Sequence, residues 1–380
     1  MKKLIALILA ALMLVSVVGC GGNADSKGTL KIGGIGPITG AAAIYGQAVK
    51  NAMEMAVAEV NAKGGIQFEM NFQDDAHVAE TSVNAYGTLM DWGMQILVGS
   101  VTSGPAAAVS AEAAADGIFV LTPSASSPKV IEGHTNVYQM CFSDPNQGIA
   151  SADYIATNKL SEKIAVIYQN DSDYSTGIYE KFKSEADAKG LNIVYTGTFT
   201  EDSATDFSVQ LTSAKAAGAD MLFLPIYYTP ISMIMTQADT MNYDVKYFGV
   251  DGMDGLLGVE NFNTALAEGA YLLTPFSADA TDDKTVAFVK AYQEKYGEVP
   301  NQFAADAYDC IWALYEACTA AKIDPANIST TDLCTKMIEQ FTTIKFNGLT
   351  GQGMTWAASG EVAKSPMAVV IKDGVYTSVQ

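Results

Sequence analysis

The chain has 380 residues, 49% apolar and 17% charged, long enough for two domains and too apolar for disorder. Asp and Glu outnumber Lys and Arg by 42 to 22, a net charge of −20. Nucleic-acid binding is excluded, because that affinity comes from cationic side chains on phosphates. All 22 cations are lysines. Without a guanidinium fork, an anionic ligand group must be held by hydroxyls, backbone N–H groups or a lysine.

Lys2 and Lys3 precede an apolar run over 4–18, then Gly19 and Cys20. This is the pattern of a signal peptide over 1–19. The run is shorter than the ~20 residues that span a bilayer, and no later stretch is long enough. Val17-Val18-Gly19-Cys20 resembles the lipobox of bacterial lipoproteins. That resemblance implies cleavage before Cys20, lipid on its thiol, and a place on the extracytoplasmic face of the cell membrane. The alternative is an ordinary signal peptide with an incidental cysteine. Residues 20–28 are small and polar and read as a tether. Cys141, Cys310, Cys318 and Cys334 remain. Positions 310 and 318 fall on one helix about 12 Å apart, too far to bridge. No CxxC pair and only two histidines argue against zinc.

Short β-rich runs occur at 30–35, 68–72, 96–98, 119–121, 164–168, 193–199, 221–224, 246–249 and 270–273. Between them lie segments of helical spacing at 46–63, 79–92, 106–116, 148–159, 176–189, 207–217 and 230–241. Three more helices are expected at 282–296, 303–321 and 331–341, then strands at 354–356 and 368–372. Such alternation predicts an α/β fold with parallel sheets covered on both faces. The elements are too many for one core, so two doubly wound lobes are expected.

Ligands of open parallel sheets bind beyond the C-terminal strand ends. After 96–98 comes Gly99-Ser100-Val101-Thr102-Ser103-Gly104-Pro105; after 119–121 comes Thr122-Pro123-Ser124-Ala125-Ser126-Ser127-Pro128. Hydroxyls beside a helix N-terminus can hold a carboxylate without arginine. Singly, each serine serves equally as a cap or turn residue. The second half supplies Asp171, Asp173 and Tyr174, then Tyr227 and Tyr228, then Asp251 between Gly249 and Gly252. Facing each other, the two sets complement a zwitterion: carboxylate to the hydroxyls, ammonium to Asp251, apolar body among the rings.

These residues resemble the substrate-binding lipoproteins of branched-chain amino-acid ABC importers, the Leu/Ile/Val-binding family. The motifs are Ile35-Gly36-Pro37-Ile38-Thr39-Gly40 with Tyr45-Gly46, Asn61-Ala62-Lys63-Gly64-Gly65-Ile66, Asp74-Asp75-Ala76, Ser103, Thr122-Pro123-Ser124-Ala125-Ser126, Asp144-Pro145-Asn146-Gln147-Gly148, Tyr174 and Gly249-Val250-Asp251-Gly252. The resemblance covers essentially the whole mature chain. It implies the type I periplasmic-binding fold, with lobe 1 from 29–140 plus 277–348 and lobe 2 from 141–276 plus 349–380. Three crossovers would lie near 138–146, 271–279 and 346–354. It implies that Ser103 binds the ligand carboxylate and that Ser126 reaches both carboxylate and ammonium. Ser124 would offer backbone groups, and Tyr174 and Tyr227 would close over the ligand. Asp251 would pair with the ammonium, and Tyr45 and Phe303 would line the side-chain pocket. Val101, Thr102 and Ala125 complete the implied binding set. The family's disulfide is absent: His77 and Thr102 stand in its place, and His77 reads as a surface residue. Asp251 stands where the family often has Glu, one methylene shorter.

The expected function is capture of a neutral L-amino acid, Leu, Ile or Val, by a monomer that needs no cofactor and delivers to membrane permease subunits. An enzyme is disfavoured. Gly34-x-Gly36-x-x-x-Gly40 has the wrong spacing for a dinucleotide site, and no Gly-x-Ser-x-Gly elbow is present. Other readings are the same fold with a short amide, urea or aromatic amino acid, or an exported sensing receptor.

Overall fold

The computed structural model describes residues 28–379, so the signal-peptide and Cys20 expectations lie outside the described residues. The first sheet has five parallel strands in the order β2-β1-β3-β4-β5. They are β1 (Thr29–Gly36), β2 (Gln67–Asp74), β3 (Ile96–Val98), β4 (Phe119–Thr122) and β5 (Val137–Gln139). Helices α1 (Ala43–Lys63), α2 (Ala79–Trp92) and α3 (Ser103–Asp116) connect the first four. β3 and β4 are short, wholly buried and apolar but for Thr122 at the end, as central parallel strands must be. β5 was not expected, because the chain crosses to the other lobe straight after it.

The second sheet is ordered β12-β11-β10-β9-β8-β6-β7. Strands β6 (Ile164–Gln169), β7 (Ile193–Phe199), β8 (Met221–Leu224), β9 (Lys246–Gly249) and β10 (Tyr271–Thr274) are parallel. An antiparallel hairpin of β11 (Met367–Lys372) and β12 (Val375–Ser378) closes one edge. Helices α4 (Asp144–Asn158), α5 (Asp173–Lys189), α6 (Ser208–Ala216) and α7 (Tyr228–Thr240) belong with this sheet. α4 begins four residues before the expected 148, because Pro145 is tolerated in a first helical turn, where its missing N–H costs nothing.

After β10 the chain returns to form α8 (Asp283–Tyr296), α9 (Gln302–Ala320) and α10 (Thr330–Phe341). α9 is buried on nearly every side and runs along α1. Its alanines let the two helices approach closely while its cysteines and Ile311 fill the core. Residues 354–356 are not a strand; they make only isolated bridges, Phe346 with Met354 and Trp356 with Val362. This segment also stays with the first sheet. The Trp356 indole N–H donates to the Gln139 carbonyl at 2.7 Å and its ring packs on Phe341. Thr350 Oγ1 donates to Asp309 Oδ2 of α9 at 2.7 Å. The third crossing therefore falls after 362, later than 346–354, because burying Trp356 holds the chain back. The four described cysteines are all buried and free.

Candidate functional site

The first-lobe wall is built from loops that leave β3 and β4 side by side. The cap of α3 is Thr102, whose side chain makes no capping bond, so Ser103 opens the helix without capping it. Ser103 Oγ instead accepts the Ser127 N–H at 3.2 Å, which leaves its own proton free to donate. Thr122 Oγ1 donates to the Ser100 carbonyl at 2.7 Å and accepts the Ala125 N–H at 3.0 Å. Ser124 Oγ donates to the Val101 carbonyl at 2.6 Å. The hydroxyls of Thr122 and Ser124 are thus spent on the loops themselves. Ser126 Oγ is buried with no partner. Gln139 braces this loop from below, its amide donating to the carbonyls of Ala125 at 2.8 Å and Ser127 at 3.2 Å.

The facing wall follows β6, β8 and β9. The Tyr174 hydroxyl on α5 donates to Asp251 Oδ1 at 2.6 Å, and Tyr227 stacks on Tyr174 with ring centres 4.7 Å apart. From α1, Tyr45 meets Tyr227 edge-on at 5.5 Å, lies 4.1 Å from Phe303, and donates to the Gly252 carbonyl. Gly46 permits this: a Cβ there would stand 2.0 Å from the Pro37 carbonyl oxygen. Tyr45 and Ser126 are 0% exposed, Tyr174 and Asp251 only 3%. The two lobes are therefore closed on one another.

His77 is not a surface residue. It is half-buried, its ring meets Tyr227 edge-on at 5.5 Å, and its Nδ1 lies 2.8 Å from Thr102 Oγ1. A hydrogen bond thus joins the two positions. Burial holds this imidazole below its ordinary pKa, so it is neutral at pH 7.

The sequence places Asp144 only within a family motif and gives it no role. Its backbone N–H donates to the Ser126 carbonyl at 3.0 Å, and its carboxyl lies near the Ser126 hydroxyl. It is fully buried, and neither carboxylate oxygen has a partner. Burial pushes this carboxyl well up; Ser126 stands near enough to ease the charge, though no hydrogen bond of proper geometry joins them. Asp251 is pushed up to about 7, chiefly by burial, against the opposing pull of the Tyr174 hydroxyl. Gln147, one turn along α4, accepts the Asp251 N–H at 3.2 Å and keeps its amide Nε2 unpartnered. The buried lysine, Lys364, is committed to Asp306 at 2.7 Å and Thr350 at 2.6 Å. The closed cleft therefore gathers two carboxyl groups without a counter-charge, Asp251 held by the Tyr174 hydroxyl and Asp144 beside Ser126, together with two hydroxyls that have spare capacity. An ammonium and an acceptor group, joined by an apolar body, would satisfy all of them.

A family model for periplasmic binding proteins matches residues 29–374. Leu/Ile/Val-binding protein homolog 3 of Brucella melitensis is 31% identical over 228 residues, covering 59% of this chain and 61% of that relative, so under two thirds of its length is matched. Leu/Ile/Val-binding protein BraC3 of Rhizobium johnstonii is 31% identical over 257 residues, 67% of each chain. Among solved structures, the branched-chain amino acid transporter substrate-binding protein of Streptococcus pneumoniae in complex with isoleucine superposes with TM-score 0.83 at 28% identity, covering 92% of this chain and 98% of that one.

Proposed function

From a chain that belongs to the periplasmic binding protein family, among the Leu/Ile/Val-binding proteins, we propose a receptor that captures one neutral L-amino acid, with Leu, Ile or Val preferred, for an ABC importer. Its two lobes are the type I periplasmic-binding fold, and family and fold are those of substrate-binding proteins. Ser103 and Ser126 take the ligand carboxylate. Asp251, joined by Asp144, takes the ammonium. Tyr45, Tyr174, Tyr227 and Phe303 enclose the side chain.

One observation supports this reading above the others. Spare hydroxyls of the first lobe meet, in an aromatic-lined, closed cleft, two buried carboxyl groups without a counter-charge, Asp144 partnerless and Asp251 held by the Tyr174 hydroxyl. In closed, empty protein those carboxylates are desolvated without a counter-charge, which opposes closure. An entering ammonium removes that penalty, so capture and closure are coupled. Isothermal titration against the neutral amino acids tests the reading: leucine, isoleucine or valine should bind one to one. Heat with urea, a sugar or a short amide, and none with any neutral amino acid, would overturn it. Anchoring through lipid on Cys20 is part of the same proposal. Cys20→Ala should release the protein from the membrane fraction, and retention there would refute it.

A further inference from the structure

Asp75, just past β2, is fully buried, and its Oδ1 accepts the His77 N–H at 2.9 Å. That bond holds a turn whose backbone is left-handed at Ala76, φ 49°, and at His77, φ 65°. The turn carries the His77 ring to the loop that leads into α3, where Nδ1 lies 2.8 Å from Thr102 Oγ1. The same loop is held at Ser100, whose hydroxyl lies 2.7 Å from that of Ser82 on α2. The Asp75 carboxyl stands near enough to Ser82 for its charge to be eased there, though its Oδ2 makes no hydrogen bond of proper geometry.

Thr102 is the N-cap of α3, and a threonine in that place ordinarily accepts an N–H of the first helical turn. The N–H at stake is that of Gly104, because Pro105 has none. Thr102 makes no such bond; its hydroxyl is turned to His77 instead. The start of α3 is thereby left to an anion lying beside Ser103, which the helix dipole favours.

We infer that His77, set by Asp75, is a positioning residue for the ligand carboxylate: it draws the Thr102 hydroxyl out of its capping place and leaves the helix start beside Ser103 open. The inference rests on the amino-acid reading of the cleft. Without the imidazole, Thr102 is free to cap α3, and its hydroxyl then competes with the carboxylate for the Gly104 N–H. His77 acts through Thr102 and has no need to touch the ligand.

The test is leucine affinity by isothermal titration on the mature protein and three variants. Glycine and asparagine are the replacements a left-handed position tolerates best. His77→Gly removes the ring and should weaken leucine at least about fivefold, the worth of a hydrogen bond. His77→Asn carries an amide that reaches Thr102 but cannot meet Tyr227, and it should stay within about twofold of the parent. His77→Gly combined with Thr102→Val should regain most of the loss, because valine cannot cap. Parent-like binding by His77→Gly would overturn the inference. So would a combined variant no better than His77→Gly, which would mean general loosening of the loop. Asparagine as weak as glycine would assign the effect to the ring contact with Tyr227 and equally overturn it. Should His77→Gly fail to fold, as circular dichroism would reveal, His77→Ala takes its place in both comparisons. A parent that binds no neutral amino acid would end the amino-acid reading and this inference together, whereas failed comparisons in a leucine-binding parent end this inference alone.

Discussion

The Tyr174 hydroxyl donates to Asp251 Oδ1 at 2.6 Å while accepting the Gly252 N–H at 3.0 Å. One phenol thus fixes the carboxylate and the backbone next to it. Tyr174 does more than cover a ligand, since it aims the group proposed to receive the ammonium. The Gly252 carbonyl is in turn held by Tyr45 from the opposite lobe, so the same turn also records closure.

Asp251→Asn keeps the shape and removes the charge. Amino-acid affinity should fall at least about tenfold, or ~1.4 kcal/mol, chiefly through faster dissociation in stopped-flow fluorescence. Its ligand-free melting temperature above pH 7 should equal or exceed the parent's, because a carboxylate that resists ionisation is gone. Parent-like leucine binding would remove Asp251 from the site.

The serines should separate by their bonds. Ser103→Ala and Ser126→Ala should each weaken binding by roughly 1–3 kcal/mol, as for a lost bond to a charged group. Ser124 Oγ is spent on the Val101 carbonyl. Ser124→Ala should therefore lower the melting temperature and leave affinity within about twofold. Titration calorimetry beside thermal melts checks the contrast, and equal affinity losses in all three would erase it.

Gly252→Ala puts a methyl 2.5 Å from the Tyr174 hydroxyl and 2.9 Å from the Ile226 carbonyl oxygen. Overpacking of this kind costs typically ~1–3 kcal/mol. Here it should also lever Tyr174 off Asp251, so affinity falls along with stability. An intact ligand affinity at a lowered melting temperature would mean that Tyr174 does not position Asp251.

Burial pushes Asp75, Asp251 and Asp254 up to about 6, 7 and 6. Each holds more proton folded than unfolded between about pH 4 and 7, so these three lower ligand-free stability as pH rises through that window, and Asp144, which burial pushes well up, adds to the fall. An ammonium beside Asp251 cancels that residue's share only where it is ionised. The rise in melting temperature from saturating leucine should therefore be larger at pH 8 than at pH 5. Equal rises would show that Asp251 is already ionised in the free protein at pH 5.

The alternation of β-rich runs and helical spacings made the two parallel sheets legible, because local propensity and burial pattern agree along most elements. The loops after β3 and β4, and the tyrosines and Asp251 after β6, β8 and β9, were legible as one cluster because parallel strands bring their C-terminal ends together. The division of labour within that cluster was not. Ser103, Ser124 and Ser126 are alike in sequence, and only the fold spends one hydroxyl on a carbonyl, gives another a backbone donor and leaves the third bare. Asp144 is only one letter of a motif until α4 carries it, buried and partnerless, beside Ser126. His77 and Thr102 read as a missing disulfide until a hydrogen bond joins them at 2.8 Å. The third crossing is set by where Trp356 can bury its ring and satisfy its N–H. Each of these depends on contacts between residues far apart in the chain. Desolvation and hydrogen-bond satisfaction act on such contacts, and they come into being only when the elements pack.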